Sequence, residues 1–161
     1  MTNETCVLCG GQARDVQSTG GGSKVECPLC GKYEISRTLS LTSADLNSVD
    51  LTKMRYWIAG ENRAGRTPQL HTANYQTILA TSRLPSVAQQ ANAIILEIGD
   101  KLEIPGSFVT YSKSDVGRLG FQSIEALASV LRYLNKRLVH FTVDSSPYQV
   151  SLSFEGWEFY E

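Results

Sequence analysis

The stretch CVLCGGQARDVQSTGGGSKVECPLCG, residues 6–31, contains every cysteine of this 161-residue chain. The cysteines form two Cys-x-x-Cys pairs, each followed by glycine: Cys6-Val-Leu-Cys9-Gly10 and Cys27-Pro-Leu-Cys30-Gly31. Such a turn lets two sulfurs converge on one ion, and the glycine after it accommodates a positive φ angle. The sequence therefore predicts that these four thiolates bind one metal ion.

The all-cysteine ligand set favours a structural Zn²⁺. Four thiolates placed tetrahedrally at about 2.3 Å suit this ion, and they leave no open position for a catalytic water. An iron centre of the rubredoxin type and a redox dithiol are the alternatives. A zinc deaminase is disfavoured, because no His-x-Glu precedes the segment Cys27-Pro-Leu-Cys30.

Short strands are predicted around the cysteine pairs. They cover residues 12–17, 23–27 and 32–36, with a flexible turn at 18–23 and with Tyr33 and Ile35 on one face. With CVLCG and CPLCG as its two knuckles, the segment 4–37 resembles the zinc-ribbon family. This resemblance implies a fold and a metal, and it specifies no partner.

Composition narrows the classes of function. Apolar residues make up 42% and charged residues 19% of the chain, which is typical of a globular protein. The net charge of −1 provides no general attraction for phosphate, so nucleic-acid binding must be local. The apolar stretch at 91–98 is too short to span a membrane, and the N-terminus lacks a secretory pattern. We expect a cytoplasmic protein whose cysteines stay reduced.

The remaining residues predict an α+β protein with a zinc ribbon at 1–37, a helical linker region at 38–85 and a winged helix-like domain at 86–161. Helical periodicity begins near Asp50, near Thr72 and at Ser86. The clearest helix runs from Ser123 to about Leu138. A weak strand at 107–111 and a short helical turn at 114–120 precede it.

After that helix, residues 139–143 and 148–154 predict a hairpin, and residues 156–161 begin a terminal helix. The succession of helix, helical turn, helix and hairpin resembles a winged helix-turn-helix. The segments QQANAIILEIG and LSFEGWEFYE also resemble a loosely characterised group of bacterial and phage proteins with an N-terminal zinc ribbon. That resemblance implies no activity.

A recognition function is the main hypothesis. In a winged helix, the face opposite the apolar stripe of the Ser123 helix enters the DNA major groove, and duplex DNA is therefore the first candidate partner. The candidate contacts are Arg132, Tyr133, Lys136 and Arg137. The alternative is that this face is exposed to water and that its cations stabilise the C-terminal end of the helix through the helix dipole. The acidic residues Glu155, Glu158 and Glu161 oppose DNA binding if they lie near the groove.

Two other roles stay open. One is an adaptor that grips a larger effector protein, and the other is an accessory subunit of a nuclease complex. Catalysis is not expected, because GxSxG and P-loop motifs are absent from the sequence. His71 and His140 are isolated histidines and are interpreted as packed or solvent-facing residues.

Overall fold

The computed structural model describes residues 3–102, 104, 106–141 and 147–160. The chain is mixed α+β and divides into a first unit, Met1–Leu84, and a second unit, Pro85–Glu161. Among the described residues, no helix combines the length and apolar character needed to cross a bilayer.

A five-stranded sheet forms the base of the first unit. Its strands, in spatial order, are β1 (Asn3–Thr5), β2 (Gln12–Thr19), β3 (Gly22–Cys27), β4 (Gly31–Ser36) and β5 (Gln69–Leu70). The three predicted strands are confirmed as β2 to β4. The turn between β2 and β3 is shorter than expected, because Thr19 pairs with Gly22. Strands β1 and β5 were not predicted, and β5 is parallel to β4.

The first unit continues with α1 (Arg37–Thr42), a 3-10 turn (Ser43–Asp45), α2 (Ser48–Arg63) and α3 (Tyr75–Thr81). Helix α2 begins before the expected Asp50, because the Asn47 side chain caps it by accepting a hydrogen bond from the Asp50 amide at 2.9 Å. Helix α1 was not predicted. Asn74 occupies the N-cap position of α3 without a capping side-chain hydrogen bond, and the expected Thr72 lies outside the helix.

The helices and the cysteine-bearing strands share one hydrophobic core. Met54 and Ile58 of α2 and Ile78 of α3 belong to the same buried cluster as Tyr33 and Cys30. Residues 38–84 therefore supply much of the apolar surface against which the cysteine segment packs.

The second unit contains α4 (Val87–Lys101), β6 (Val109–Tyr111), α5 (Lys113–Arg118), α6 (Ile124–Leu134), β7 (Val139–Phe141), β8 (Tyr148–Leu152) and α7 (Phe154–Tyr160). Its strands pair antiparallel in the order β6-β8-β7. Helix α4 begins as predicted at a capping box formed by Ser86 and Gln89. Both hairpin strands are present, but β8 ends at Leu152 and the expected strand residue Phe154 begins α7. Most of the expected turn at 144–147 lies outside the described residues.

Helix α6 ends at Leu134, so the prediction that it reaches Leu138 is wrong. The backbone tightens there, because the amides of Lys136 and Arg137 bond to carbonyls three residues earlier. The Asn135 side chain then accepts a hydrogen bond from the Phe141 amide at 2.8 Å, which directs the chain into β7.

Apolar side chains of α4, α6 and the small sheet form the core of the second unit, with Ile94, Leu127 and Val150 fully enclosed. A polar network ties α4 to α5 at its edge. Arg118 donates hydrogen bonds to Glu97 at 2.8 and 2.9 Å, and to Asp115 at 2.8 Å. These three side chains are only partly exposed, so water screens their charged hydrogen bonds less. The bonds therefore help to hold α5 against α4.

Gly156 lets α7 approach the turn after α6. A Cβ atom there would lie 2.0 Å from the Leu138 carbonyl oxygen.

At an uncrowded helix position, replacing glycine by alanine stabilises the fold by about 0.5–1 kcal/mol. At Gly156 the collision with the carbonyl oxygen makes the same replacement destabilising. We expect Gly156→Ala to destabilise the second unit by about 1–3 kcal/mol in thermal unfolding. The control is Gly60→Ala in α2, where an added Cβ meets nothing within 4 Å. A melting temperature that is equal or higher for Gly156→Ala contradicts the argument.

Candidate metal centre

The four cysteine side chains converge on one point. Their Sγ atoms all lie within 4.8 Å of one another. The sulfur atoms are 3.8 Å apart between Cys6 and Cys30 and 3.5 Å apart between Cys9 and Cys27, and all four thiols are free of disulfides. Metal–sulfur bonds of about 2.3 Å in a tetrahedron place neighbouring sulfurs about 3.8 Å apart. The cluster therefore has the dimensions of a four-thiolate metal site, as the cysteine spacing predicts.

The backbone of the first knuckle is folded around its cysteines. The Cys6 carbonyl accepts a hydrogen bond from the Gly10 amide at 2.8 Å, and the Gly11 amide donates to Cys9 Sγ at 3.4 Å. The expected positive φ angles occur at both knuckles, with 71° at Gly10 and 91° at Gly31. These glycines let the backbone of each knuckle reverse without strain immediately after its second cysteine.

Asn62, near the end of α2, holds the second knuckle. Its Oδ1 accepts a hydrogen bond from the Lys32 amide, and its Nδ2 donates one to the Lys32 carbonyl, both at 2.8 Å. A Cβ atom at Gly31 would lie 2.1 Å from Asn62 Oδ1, so glycine is also needed for this close approach. The sequence analysis missed Asn62, because no local pattern pairs a helix asparagine with a residue 30 positions earlier.

Tyr33 lies behind the cluster and is fully buried, with its hydroxyl 3.0 Å from Cys6 Sγ. Burial, reinforced by charge on Cys6, raises the pKa of Tyr33, so the hydroxyl stays protonated and can donate to a thiolate. Hydrogen bonding with Cys27, Cys30 and Cys9, with a smaller contribution from Tyr33, holds the pKa of the Cys6 thiol well below its ordinary value. The sequence predicted that Tyr33 shares one face of its strand with Ile35, and it did not predict this contact.

The shell around the sulfurs is closed. Cys6, Cys27 and Cys30 are buried and Cys9 is half-buried, while Leu8 packs in the same cluster. Water therefore has little access to the sulfurs. This environment suits a metal that holds the chain together and offers no free coordination position.

The candidate nucleic-acid contacts lie at the surface of the second unit. Arg132 and Tyr133 are exposed in the last turn of α6, with 71% of Tyr133 accessible. Lys136 and Arg137 are exposed in the turn that follows, so the prediction that they extend the helix face is wrong. Arg137 forms an ion pair with Glu155 at 2.6 Å.

The isolated histidines behave as interpreted. His71 and His140 are exposed, and within the described part of the chain the only cluster suited to a metal is formed by the cysteines.

In comparisons with known proteins, no protein-family model, no curated protein and no solved structure matches the chain. The residues themselves define the class: a mixed α+β protein with a four-cysteine cluster that could bind a metal, consistent with a zinc-ribbon-like module.

The Tyr33 hydroxyl provides a test of the metal centre. Thiolate ligands are present above their pKa and are lost as the pH falls, so a donor that lowers the pKa of Cys6 extends metal binding to lower pH. We expect Tyr33→Phe to weaken Co²⁺ binding by about 10–100-fold and to move acid release of the metal to higher pH. The measurement is the thiolate-to-cobalt absorbance across a pH series.

The control for this test is Tyr56→Phe, which removes a hydroxyl from α2 without touching the cysteines. An unchanged release curve for Tyr33→Phe shows that its hydroxyl contributes nothing to the centre.

Proposed function

We propose that Cys6, Cys9, Cys27 and Cys30 bind one structural Zn²⁺ in a zinc-ribbon-like module, and that the protein acts by recognition and not by catalysis. The observation that carries the metal assignment is the convergence of four buried or half-buried thiols, whose sulfur atoms all lie within 4.8 Å of one another. Zn²⁺ suits this site because it imposes no geometry of its own and undergoes no redox change. Iron is the alternative that the same ligands allow.

Metal analysis of the purified protein should return about one zinc per chain. Because Cys27 shares its core with Met54 and Ile58, Cys27→Ser should unfold α2 together with the strands, while the second unit keeps its own melting transition. Circular dichroism and calorimetry with and without a chelator provide the readout. A visible iron chromophore refutes zinc, and an intact metal-free first unit refutes the structural role.

The second unit is proposed to bind duplex DNA as a winged helix. Its element order and the strand order β6-β8-β7 support this assignment, since a helix is followed directly by a two-stranded hairpin. Helix α6 buries Leu127 and Leu131 and exposes Arg132 and Tyr133 on its surface. Arginine can read guanine or hold a phosphate, and tyrosine can donate to a phosphate.

The candidate contacts differ in whether they already form an ion pair within the protein. Arg132 and Lys136 form no ion pair with any described residue, so both can bind phosphate directly. Arg137 is 77% exposed but already contacts Glu155, and a phosphate must displace that carboxylate. Arg132 and Lys136 are therefore the cations on which binding should depend most.

Arg132→Ala combined with Lys136→Ala should weaken binding to duplex DNA. Each lost phosphate contact reduces the slope of log K against log salt by about 0.9, so the double variant should lose nearly two units of slope. Fluorescence anisotropy at several salt concentrations measures both quantities. The control, Arg37→Ala with Lys101→Ala, changes the net charge equally. Absence of wild-type binding at low salt refutes the proposed DNA function.

An adaptor function is the second candidate, supported by exposed aromatic side chains on α7. Phe154 is 79% and Phe159 is 56% exposed, and aromatic residues are enriched at protein interfaces. If DNA is not bound, a defined partner recovered from the native host by the wild type, and lost with Phe154→Ser, supports the adaptor.

A further inference from the structure

A groove of about 770 Å³ lies in the first unit beside the second knuckle. This volume falls within the range of roughly 300–1,000 Å³ that is usual for ligand sites. It is lined by residues of β2, by residues of β3 and the second knuckle, and by the end of α2 with the residues after it. The charged side chains that line the groove are Arg14, Glu26, Lys32 and Arg66.

Three of these four groups are cations, and the sheet sets two of them in a row. Arg14 is directly opposite Glu26, and Glu26 is directly opposite Lys32, so the three side chains share one face of β2, β3 and β4. Lys32 contacts Glu26 at 3.2 Å, whereas Arg14 has no ion-pair partner among the described side chains. A second anion could therefore bind Arg14 without displacing an existing carboxylate.

The third cation that lines the groove is Arg66. Its guanidinium donates hydrogen bonds of 2.7 and 2.9 Å to Glu61, a pair that is largely exposed on the arginine side. Exposed ion pairs contribute little net stability, because water and salt screen them. A phosphate can therefore replace or share these contacts with little loss to the fold.

Asn62 makes the groove rigid. Besides holding Lys32, its Nδ2 donates a hydrogen bond to the Arg66 carbonyl at 3.0 Å. The backbones that carry two of the cations are thus bonded to the same side-chain amide. Their separation is set before any ligand arrives, and this lowers the ordering cost of binding.

We propose that this groove binds the phosphodiester backbone of nucleic acid, so that the first unit makes its own contact with the DNA. The inference rests on the proposed DNA-binding function and adds a second point of attachment to it. None of the described lining residues is aromatic, so base stacking is not available there. The groove should contact phosphate groups and contribute affinity without sequence preference.

The test compares two lysines in matched settings. Lys32 pairs across β3 and β4 with Glu26 at 3.2 Å, and Lys24 pairs across the same strands with Glu34 at 3.1 Å, but Lys24 does not line the groove. Lys32→Ala should lower affinity for duplex DNA by about eightfold at 0.1 M salt and reduce the salt slope by about 0.9. Lys24→Ala should leave the slope unchanged.

Arg14→Ala provides an independent variant, because Arg14 belongs to β2 and to neither cysteine pair, and it can be made if Lys32→Ala impairs metal binding. It should produce the same loss of slope. The inference is overturned if both Arg14→Ala and Lys32→Ala show the same salt slope as the wild type while each variant retains its metal.

Backbone amide NMR of the full chain with the same duplex separates this inference from the proposed winged-helix contact. Shifts at Arg14, Lys32 and Arg66 together with shifts in α6 support both. Shifts confined to α6 overturn the inference that the groove binds DNA and support the winged-helix contact. Shifts confined to the groove support the inference and overturn the α6 contact. The absence of shifts at both places overturns both.

Discussion

The convergence of four thiols inside the core of the first unit is the constraint on which that unit depends. Thiolates at separations of 3.5 and 3.8 Å repel one another, and burial increases the cost of their charge. A cation at their centre removes that repulsion, and donors such as the Tyr33 hydroxyl spread the remaining charge. Because Met54 and Ile58 complete the same core, a bound metal would also stabilise the packing of α2.

Features that arise from neighbouring residues were predictable. The two Cys-x-x-Cys-Gly segments predicted both the cluster and the positive φ angles, since a knuckle is a local structure. The start of helix α4 was predicted, because Ser86 is a favourable N-cap residue and the apolar residues after it repeat with helical spacing. The strands β2 to β4 were predicted for the same reason, as each alternates beside a turn.

Features that depend on distant partners were not predictable. Strand β5 has two residues and exists only because Gln69 and Leu70 pair with β4. Asn62 holds Lys32 across 30 positions, and an asparagine near a helix end carries no signal for such a contact. The end of α6 also depended on tertiary context, because apolar residues continue to Leu138 while Asn135 turns the chain toward β7.

The distribution of charge limits how the proposed contacts with nucleic acid could form. With a net charge of −1, long-range attraction cannot concentrate this protein on a polyanion, so affinity must come from cations held in fixed positions. The structure offers such cations in two settings: Arg132 and Lys136 beside the α6 end, and Arg14 with Lys32 beside the second knuckle. In each setting a neighbouring carboxylate, Glu155 or Glu26, engages one nearby cation and leaves another without an ion pair among the described residues. A phosphate that binds the unpaired cation lies near that carboxylate. Repulsion between the two negative charges weakens the binding of any phosphate that is placed too close to the carboxylate. The proposed binding of nucleic acid should therefore depend on geometry more than on total charge.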